Sequence, residues 1–218
     1  MKRIVKGNEP ASLVEHRASQ HASYANLNNT DVRNTLLVEQ GHLCSYCMRR
    51  IPETGKTPGS KIEHFLCQED YKEEELNYRN MLLACLGNEG SPKRLQTCDS
   101  YKGSTTLSVN PSDNARNIED LIGYKANGEI YSPDDQLNSD LDSVLNLNVK
   151  SLKDNRREIY LAVQDRIQIE GKKIGKQSLK KRFLEKEKEK WLAMSSSKYK
   201  EYCMVGVYVI DKKLKKLG

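Results

Sequence analysis

Long apolar runs are missing from this 218-residue chain: no window approaches 18 consecutive apolar residues, so no membrane-spanning helix is expected. Hydrophobic residues make up 37%, below the about 45–50% usual for globular domains with glycine counted. The first twenty residues carry Lys2, Arg3, Lys6, Glu9, Glu15 and Arg17. No apolar signal-peptide core is therefore expected, and the cytosol is the expected compartment. No internal repeat is visible. A chain of this length buries a core as one or two domains, and in the cytosol it needs no disulfide framework.

What is present is charge, and it is unevenly spread. The net charge of +6 comes from 36 Lys and Arg against 30 Asp and Glu. Residues 172–218 hold 15 basic and 5 acidic residues, a net of +10, whereas residues 1–171 hold 21 and 25, a net of −4. A basic tail behind a mildly acidic body can face a polyanion, or simply be a solvated lysine face. Six cysteines are the second surplus: Cys44, Cys47, Cys67, Cys85, Cys98 and Cys203. Five of them lie between residues 44 and 98, and clustered cysteines in a cytosolic protein more often bind metal than pair.

Periodicity and punctuation give a coarse element order. A short helix is possible over Ala11–Ser19, and Asp31–Gln40 reads as a helix with Val32, Leu36 and Leu37 as its apolar stripe and Gly41 as its stop. Residues 48–112 are broken by Pro52, Gly55, Pro58, Gly59, Gly87, Gly90, Pro92, Gly103 and Pro111, which predicts a turn-rich fold in need of a staple. Within it Asn77–Leu86, with Met81-Leu-Leu-Ala84, reads as an inward-packed helix. Leu121–Tyr131 reads as a hairpin turning at Asn127-Gly128. Residues 151–170 read as a helix broken by Gly171 and Gly175. Residues 178–194 read as another, with Leu179, Phe183, Leu184, Trp191 and Leu192 on one face. Val205–Ile210 reads as a short β-rich run.

The residues that carry chemistry fall in 44–103. Cys44-Ser-Tyr-Cys47 has the two-residue spacing that lets both thiolates reach one ion from a tight turn, half of a tetrahedral zinc site. Cys85 and Cys98, with twelve residues between them, offer the other half. Cys85 also reads as an ordinary buried cysteine, and Cys67 competes as a ligand. Between the halves lies Lys61-Ile-Glu63-His64-Phe65. His64 is of the type that serves as a general base near neutral pH, and Glu63 is a hard oxygen ligand suited to a divalent cation. Alternation on a strand separates the two side chains, so a bend must turn both to one site. In Cys98-Asp99-Ser-Tyr-Lys102-Gly103 a metal-fixed Cys98 would aim Asp99, and Lys102 could meet a phosphate.

The order Cys-x-x-Cys, Glu-His, Asn80, Cys, Cys-Asp-x-x-Lys resembles that of the HNH, or ββα-metal, nucleases over residues 42–104. In that family the second cysteine pair is usually close, and the residue after the last cysteine is usually Asn or His rather than an Asp such as Asp99. A narrower resemblance runs over most of residues 1–160. Gln40-Gly-His-Leu-Cys-Ser-Tyr-Cys47, Ile62-Glu-His-Phe65, Leu76-Asn-Tyr-Arg-Asn-Met-Leu82, Gly87-Asn-Glu-Gly90, Cys98-Asp-Ser-Tyr-Lys-Gly103, Val109-Asn-Pro111 and Leu145-Asn-Leu-Asn148 are similar to the PtuB-like HNH proteins of Septu and retron anti-phage systems.

The resemblance implies a nuclease effector working with a PtuA-like ABC- or SMC-type ATPase, in some members with a retron reverse transcriptase and its RNA–DNA hybrid. It implies His64 as general base and a catalytic Mg²⁺ or Mn²⁺ on Glu63 and Asp99. It further implies Asn80 orienting the His64 loop or touching the metal through water, Lys102 at a phosphate, and structural Zn²⁺ on Cys44, Cys47, Cys85 and Cys98.

The expected fold class is α+β: an N-terminal segment and helix over 1–35, a zinc-stapled ββα-metal core over 36–112, and a mainly helical region with a basic tail over 113–218. Two other functions compete with the nuclease: a zinc-stapled adaptor that grips nucleic acid or a partner without catalysis, and a purely structural zinc domain.

Overall fold

Apolar spacing places the first two helices as expected. Ala11–Arg17 forms α1 and Thr30–Glu39 forms α2, with Val32, Leu36 and Leu37 buried on its inner face. The computed structural model describes residues 1–53 and 59–217; Gly55 and Pro58, read as chain breakers, lie outside them. After α2 the chain makes a tight knuckle, closed by Cys44 N–H to Arg49 O (2.9 Å) and Ile51 N–H to His42 O (2.9 Å). Strand β1 (Ser60–His64) then pairs antiparallel with β2 (Met81–Cys85), Ser60 opposite Cys85 and His64 opposite Met81.

The β2 segment is not the helix that its apolar run predicts. All five of its residues are buried, and a short apolar run buried on both faces has no period by which to tell strand from helix. Its partner β1 is distant in sequence (Ser60 opposite Cys85 spans 25 residues, His64 opposite Met81 spans 17), so the ladder decides its state. The chain reaches α3 (Cys98–Lys102), which packs on β2. Further on lies α4 (Ile118–Leu121). The expected hairpin follows, as β3 (Gly123–Tyr124) paired with β4 (Ile130–Tyr131). Its turn requires Gly128, whose φ is +82°, and an added Cβ there would come within 1.9 Å of Lys153 O.

After α5 (Asp135–Ser139) and a π-helical turn at Asp140–Val144, three helices complete the chain: α6 (Lys150–Lys173), α7 (Gln177–Leu192) and α8 (Cys203–Leu214). Helix α6 runs through Gly171 instead of breaking there. Gly171 is half-buried in the last turn of α6, and a helical glycine costs only about 1 kcal/mol against alanine. On α7, Leu184 is buried, but Leu179 is 51% exposed and so leaves the expected apolar face.

The largest departure is at the C-terminal end. Val205–Ile210 is the buried centre of α8, not a strand, and α8 packs against both α6 and α7. Nor is the +10 segment a tail. Its apolar residues join one buried cluster that also takes Ile4, Leu36, Leu83 and Leu147 from the rest of the chain. Its charge stays outside on exposed side chains such as Lys172, Lys176, Lys181 and Lys186. Arg156 of α6, 1% exposed, ties this region to the hairpin by donating to Gly128 O (2.7 Å) and Leu147 O (2.8 Å). Among the described residues no helix is long and apolar enough to cross a membrane.

Ile210→Ala, at a position with no exposed surface, is expected to lower the unfolding free energy by about 2–5 kcal/mol in urea titration. A solvated tail would leave the midpoint unchanged.

Candidate metal centre and adjoining polar site

Three stretches of chain bring four thiols together. Cys44 and Cys47 come from the knuckle after α2, Cys85 from the end of β2, and Cys98 from the start of α3. Their Sγ atoms all lie within 4.8 Å of one another, and all four residues are buried. Three of the separations are 3.8 Å (Cys44–Cys98), 3.7 Å (Cys47–Cys85) and 3.8 Å (Cys85–Cys98). A tetrahedron with Zn–S bonds of about 2.3 Å has edges of about 3.8 Å, so the four can hold a metal such as zinc.

Twelve residues between Cys85 and Cys98 do not spoil this geometry, because the excursion is clamped at its neck. Thr97 N–H donates to Gly87 O (2.8 Å), Ser100 Oγ to Leu86 O (2.8 Å) and Asn88 Nδ2 to Leu95 O (2.8 Å). Gly87 is required here: its φ is +55°, and a Cβ would lie 2.0 Å from Thr97 O. Cys98 itself adopts φ +56°, held by its N–H on Leu145 O (2.9 Å). Left-handed backbone costs a non-glycine residue about 1–3 kcal/mol, and such strain gathers at functional sites.

The electrostatics of the cluster are those of a metal site. Hydrogen bonding with neighbouring thiols and burial push the Cys47 and Cys98 thiols well up, while the same neighbours hold Cys85 far down. Without an ion such a set keeps most of its protons; a divalent ion replaces them. Half-buried Arg49 stands beside the cluster, its basicity raised by Cys47 and Cys85, with Nε and Nη2 buried and without a partner among the described residues. Its cation offsets the net negative charge that four thiolates around one zinc would carry.

Cys67 is not part of the group. It is buried but turned away, its Sγ donating to Asp70 Oδ2 (3.1 Å). Cys203 lies in α8, where burial pushes its thiol up to about 11.

Beside the four cysteines lies a polar site. Glu63 on β1 is 4% exposed. Its Oε1 accepts from Tyr46 Oη, inside the knuckle, at 2.9 Å, and lies 2.9 Å from Lys102 Nζ. Asp99, the residue after Cys98, stands near enough to the Glu63 carboxyl to favour its protonated form. Burial first, and then Asp99, raise Glu63 to about 8 against the pull of Lys102. Lys102 thus lies against the Glu63 carboxyl rather than on the surface, its side chain only 1% exposed. Asp99 remains partly exposed, with Lys61 Nζ 3.5 Å from its Oδ2.

His64 ends β1 and turns to the loop over residues 65–75. Its Nε2 lies 2.9 Å from Glu75 O, a pure acceptor, so Nε2 carries the hydrogen. Nδ1 is then the bare nitrogen; Gln68 Nε2 lies 2.8 Å from it and 3.3 Å from His64 Nε2, over the face of the ring. Tyr24 meets the ring edge-on, centroids 4.6 Å apart. Burial lowers the pKa of His64 below its ordinary 6.5. Asn80 fixes this loop: its side-chain oxygen accepts from Leu66 N–H (2.8 Å), and its amide donates to Leu66 O (3.0 Å) and Glu74 O (3.2 Å).

Alternation does send Glu63 and His64 to different partners, as strand geometry requires. What they share is Asp99, whose charge acts on both. Among the described residues, the four cysteines are the group whose ligand atoms converge as a metal site would.

Sequence reasoning missed Tyr46, Gln68, Tyr24 and Arg49. Tyr46 sits inside the Cys-x-x-Cys pair, and that position was the one available signal; the other three carry none. The chain matches no protein-family model and no curated protein.

Metal analysis of purified protein is expected to find about one zinc per chain. Cys85→Ser and Cys98→Ser should lose it, while Cys67→Ser and Cys203→Ser keep it. Lys102→Met is expected to cost about 1–3 kcal/mol in chemical denaturation, the price of a buried hydrogen-bond partner, because Glu63 avoids a bare charge by taking up a proton. A surface lysine there would cost nothing.

Proposed function

We propose that this chain is a metal-dependent endonuclease of the HNH type, hydrolysing phosphodiester bonds in nucleic acid. One observation carries the reading. The four-cysteine cluster joins the end of β2 to the start of α3, and so holds Asp99 against the Glu63 carboxyl, one residue from a neutral His64 whose ring is fixed on the backbone. The order strand, strand, helix around a cysteine staple supports a ββα-metal core, and the sequence resemblance supports it independently.

In this reading Zn²⁺ on Cys44, Cys47, Cys85 and Cys98 is structural. Glu63 and Asp99 are the residues that would hold Mg²⁺ or Mn²⁺, and two carboxylates are the protein share such an ion commonly takes, the remainder being water and substrate phosphate. That ion would supply Lewis-acid stabilisation of the charge developing on the phosphate and its leaving oxygen.

The remaining steps belong to the chain. His64 Nδ1 accepts a proton from the attacking water, while Nε2–H on Glu75 O stabilises the imidazolium that results. Asn80 holds the loop that carries Glu75 and Leu66, and so the ring's orientation. Exposed Lys172, Lys173, Lys176, Lys181, Arg182 and Lys186 offer positive surface for a polyanion, with binding that weakens steeply as salt rises.

By the same resemblance the nuclease is the effector of an anti-phage system. It acts in the cytoplasm beside a PtuA-like ATPase, and in some members beside a reverse transcriptase with its RNA–DNA hybrid. The contact between Glu63 and Lys102, both buried, favours one other reading, a zinc-stapled adaptor without catalysis.

His64→Ala is expected to abolish Mg²⁺- or Mn²⁺-dependent cleavage by the protein with its partner, while leaving zinc content and folding intact. Undiminished cleavage would favour the adaptor. Because burial lowers the His64 pKa, the base form persists as pH falls through 6.5. Single-turnover rates should lose activity only below that value.

A further inference from the structure

We infer that the groove between α6 and α7 is a docking site for the apolar face of an acidic amphipathic helix from a partner protein. The inference goes beyond the nuclease reading and does not depend on it.

The groove is a cavity of about 450 Å³. Ile167 of α6, Phe183 and Leu184 of α7, and Leu217 give it apolar walls, and Gly171 of α6 adds no side chain. Two hydrogen bonds frame it. Arg166 Nε donates to Glu187 Oε2 (2.6 Å) between α6 and α7, and Gln177 Nε2 donates to Leu217 O (2.7 Å). Helix α8 packs against both α6 and α7. The three helices thus leave a seat where a bundle takes a fourth. Apolar surface continues past the cavity: Leu179, one turn before Phe183 on α7, and Ile169 on α6 are exposed. A strip longer than the cavity suits the face of a helix better than a small ligand.

Charge selects the partner. Lys172, Lys180, Lys213 and Lys216 line the groove, and among the described residues no carboxylate does. None of these four forms an ion pair among the described residues, whereas Lys173, Lys188 and Lys190 of the same two helices pair with Glu170, Asp211 and Glu187. Four cations left unpaired around apolar walls complement carboxylates flanking an apolar stripe. A nucleic-acid backbone meets the lysines but not the walls, and an uncharged apolar helix meets the walls but not the lysines. Gly171 fits the same use. A helical glycine costs about 1 kcal/mol against alanine, yet a Cβ built there meets nothing within 4 Å outside its own helix. Packing within the chain does not require the glycine, and the groove gains the room it leaves.

Fluorescence anisotropy with full-length, zinc-loaded protein tests the groove. The probe is a fluorescein-labelled peptide of about 16 residues, long enough to become helical, with leucine along one face and glutamate on the others. One twin carries lysine in place of every glutamate, and the other carries serine in place of every leucine. The acidic amphipathic peptide is expected to bind about tenfold more tightly than either twin, because one twin opposes the lysines and the other leaves the apolar walls uncovered. Failure of the acidic peptide to bind, or equal binding by either twin, overturns the proposal.

Lys180→Glu combined with Lys213→Glu, and separately Gly171→Glu, should each weaken binding of the acidic peptide by a similar factor. Gly171→Glu sets a carboxylate beside the rim lysines where there is room for it. Glutamate is also the better helix former, so the thermal midpoint should not fall. Unchanged affinity in both variants overturns the proposal. So does displacement of the acidic peptide by oligothymidylate at the same concentration as by unlabelled peptide, which would make the groove a nucleic-acid surface.

Discussion

Four sulfur atoms drawn to within 4.8 Å of one another are where three separate stretches of this chain meet. The knuckle, the end of β2 and the start of α3 share little regular structure: a two-stranded ladder of five residues and a helix of five. Elements this short do not stay folded on their own propensity. A metal-type cluster where they meet converts three weak elements into one frame, and each polar residue of the neighbouring site is a near neighbour of a cysteine in that frame. Tyr46 lies within the Cys44–Cys47 pair, Asp99 follows Cys98, and Glu63 sits on the strand paired with the one that ends in Cys85.

That arrangement explains the chemistry of the polar site. Glu63 is unusual because the frame buries it and because Asp99 is delivered to it by the cysteine before it. Burial and a second carboxyl both favour its protonated form, and one lysine only partly offsets them. Two carboxyls forced together keep a proton unless a cation takes its place. His64 faces the opposite demand: burial favours the neutral ring, and a carbonyl at Nε2 fixes which nitrogen is bare. An acidic pair that can take a cation beside a neutral imidazole is the division of labour that the proposed phosphodiester hydrolysis needs.

The C-terminal third plays a different part. Its helices contribute no thiol to the cluster, yet α8 supplies buried residues to the same core, and the Cys98 backbone is held through Leu145 just before α6. The positive charge that dominates its composition is a coat on packed helices. Any grip on nucleic acid would therefore act from a rigid surface whose orientation relative to His64 is set by the core.

Residue order and spacing were enough to single out Cys44 and Cys47 and to offer Cys85 and Cys98, against Cys67, as the other half of a metal site; the family resemblance grouped Glu63, His64, Asn80 and Asp99 with them. Order and spacing were also enough for α2, the Asn127-Gly128 hairpin and the two long helices, because ligand spacing, turn chemistry and amphipathic period are local properties. Four things were decided only by the tertiary structure. Met81–Cys85 became a strand because β1 pairs with it. Val205–Ile210 became a helix because its surroundings bury it on all sides, where neither period is visible. Cys67 lost to Cys85 because its side chain turns to Asp70. Lys102 went inward because Glu63 was already there. In each case a residue's state depends on a partner distant in sequence, and no spacing along the chain encodes that distance.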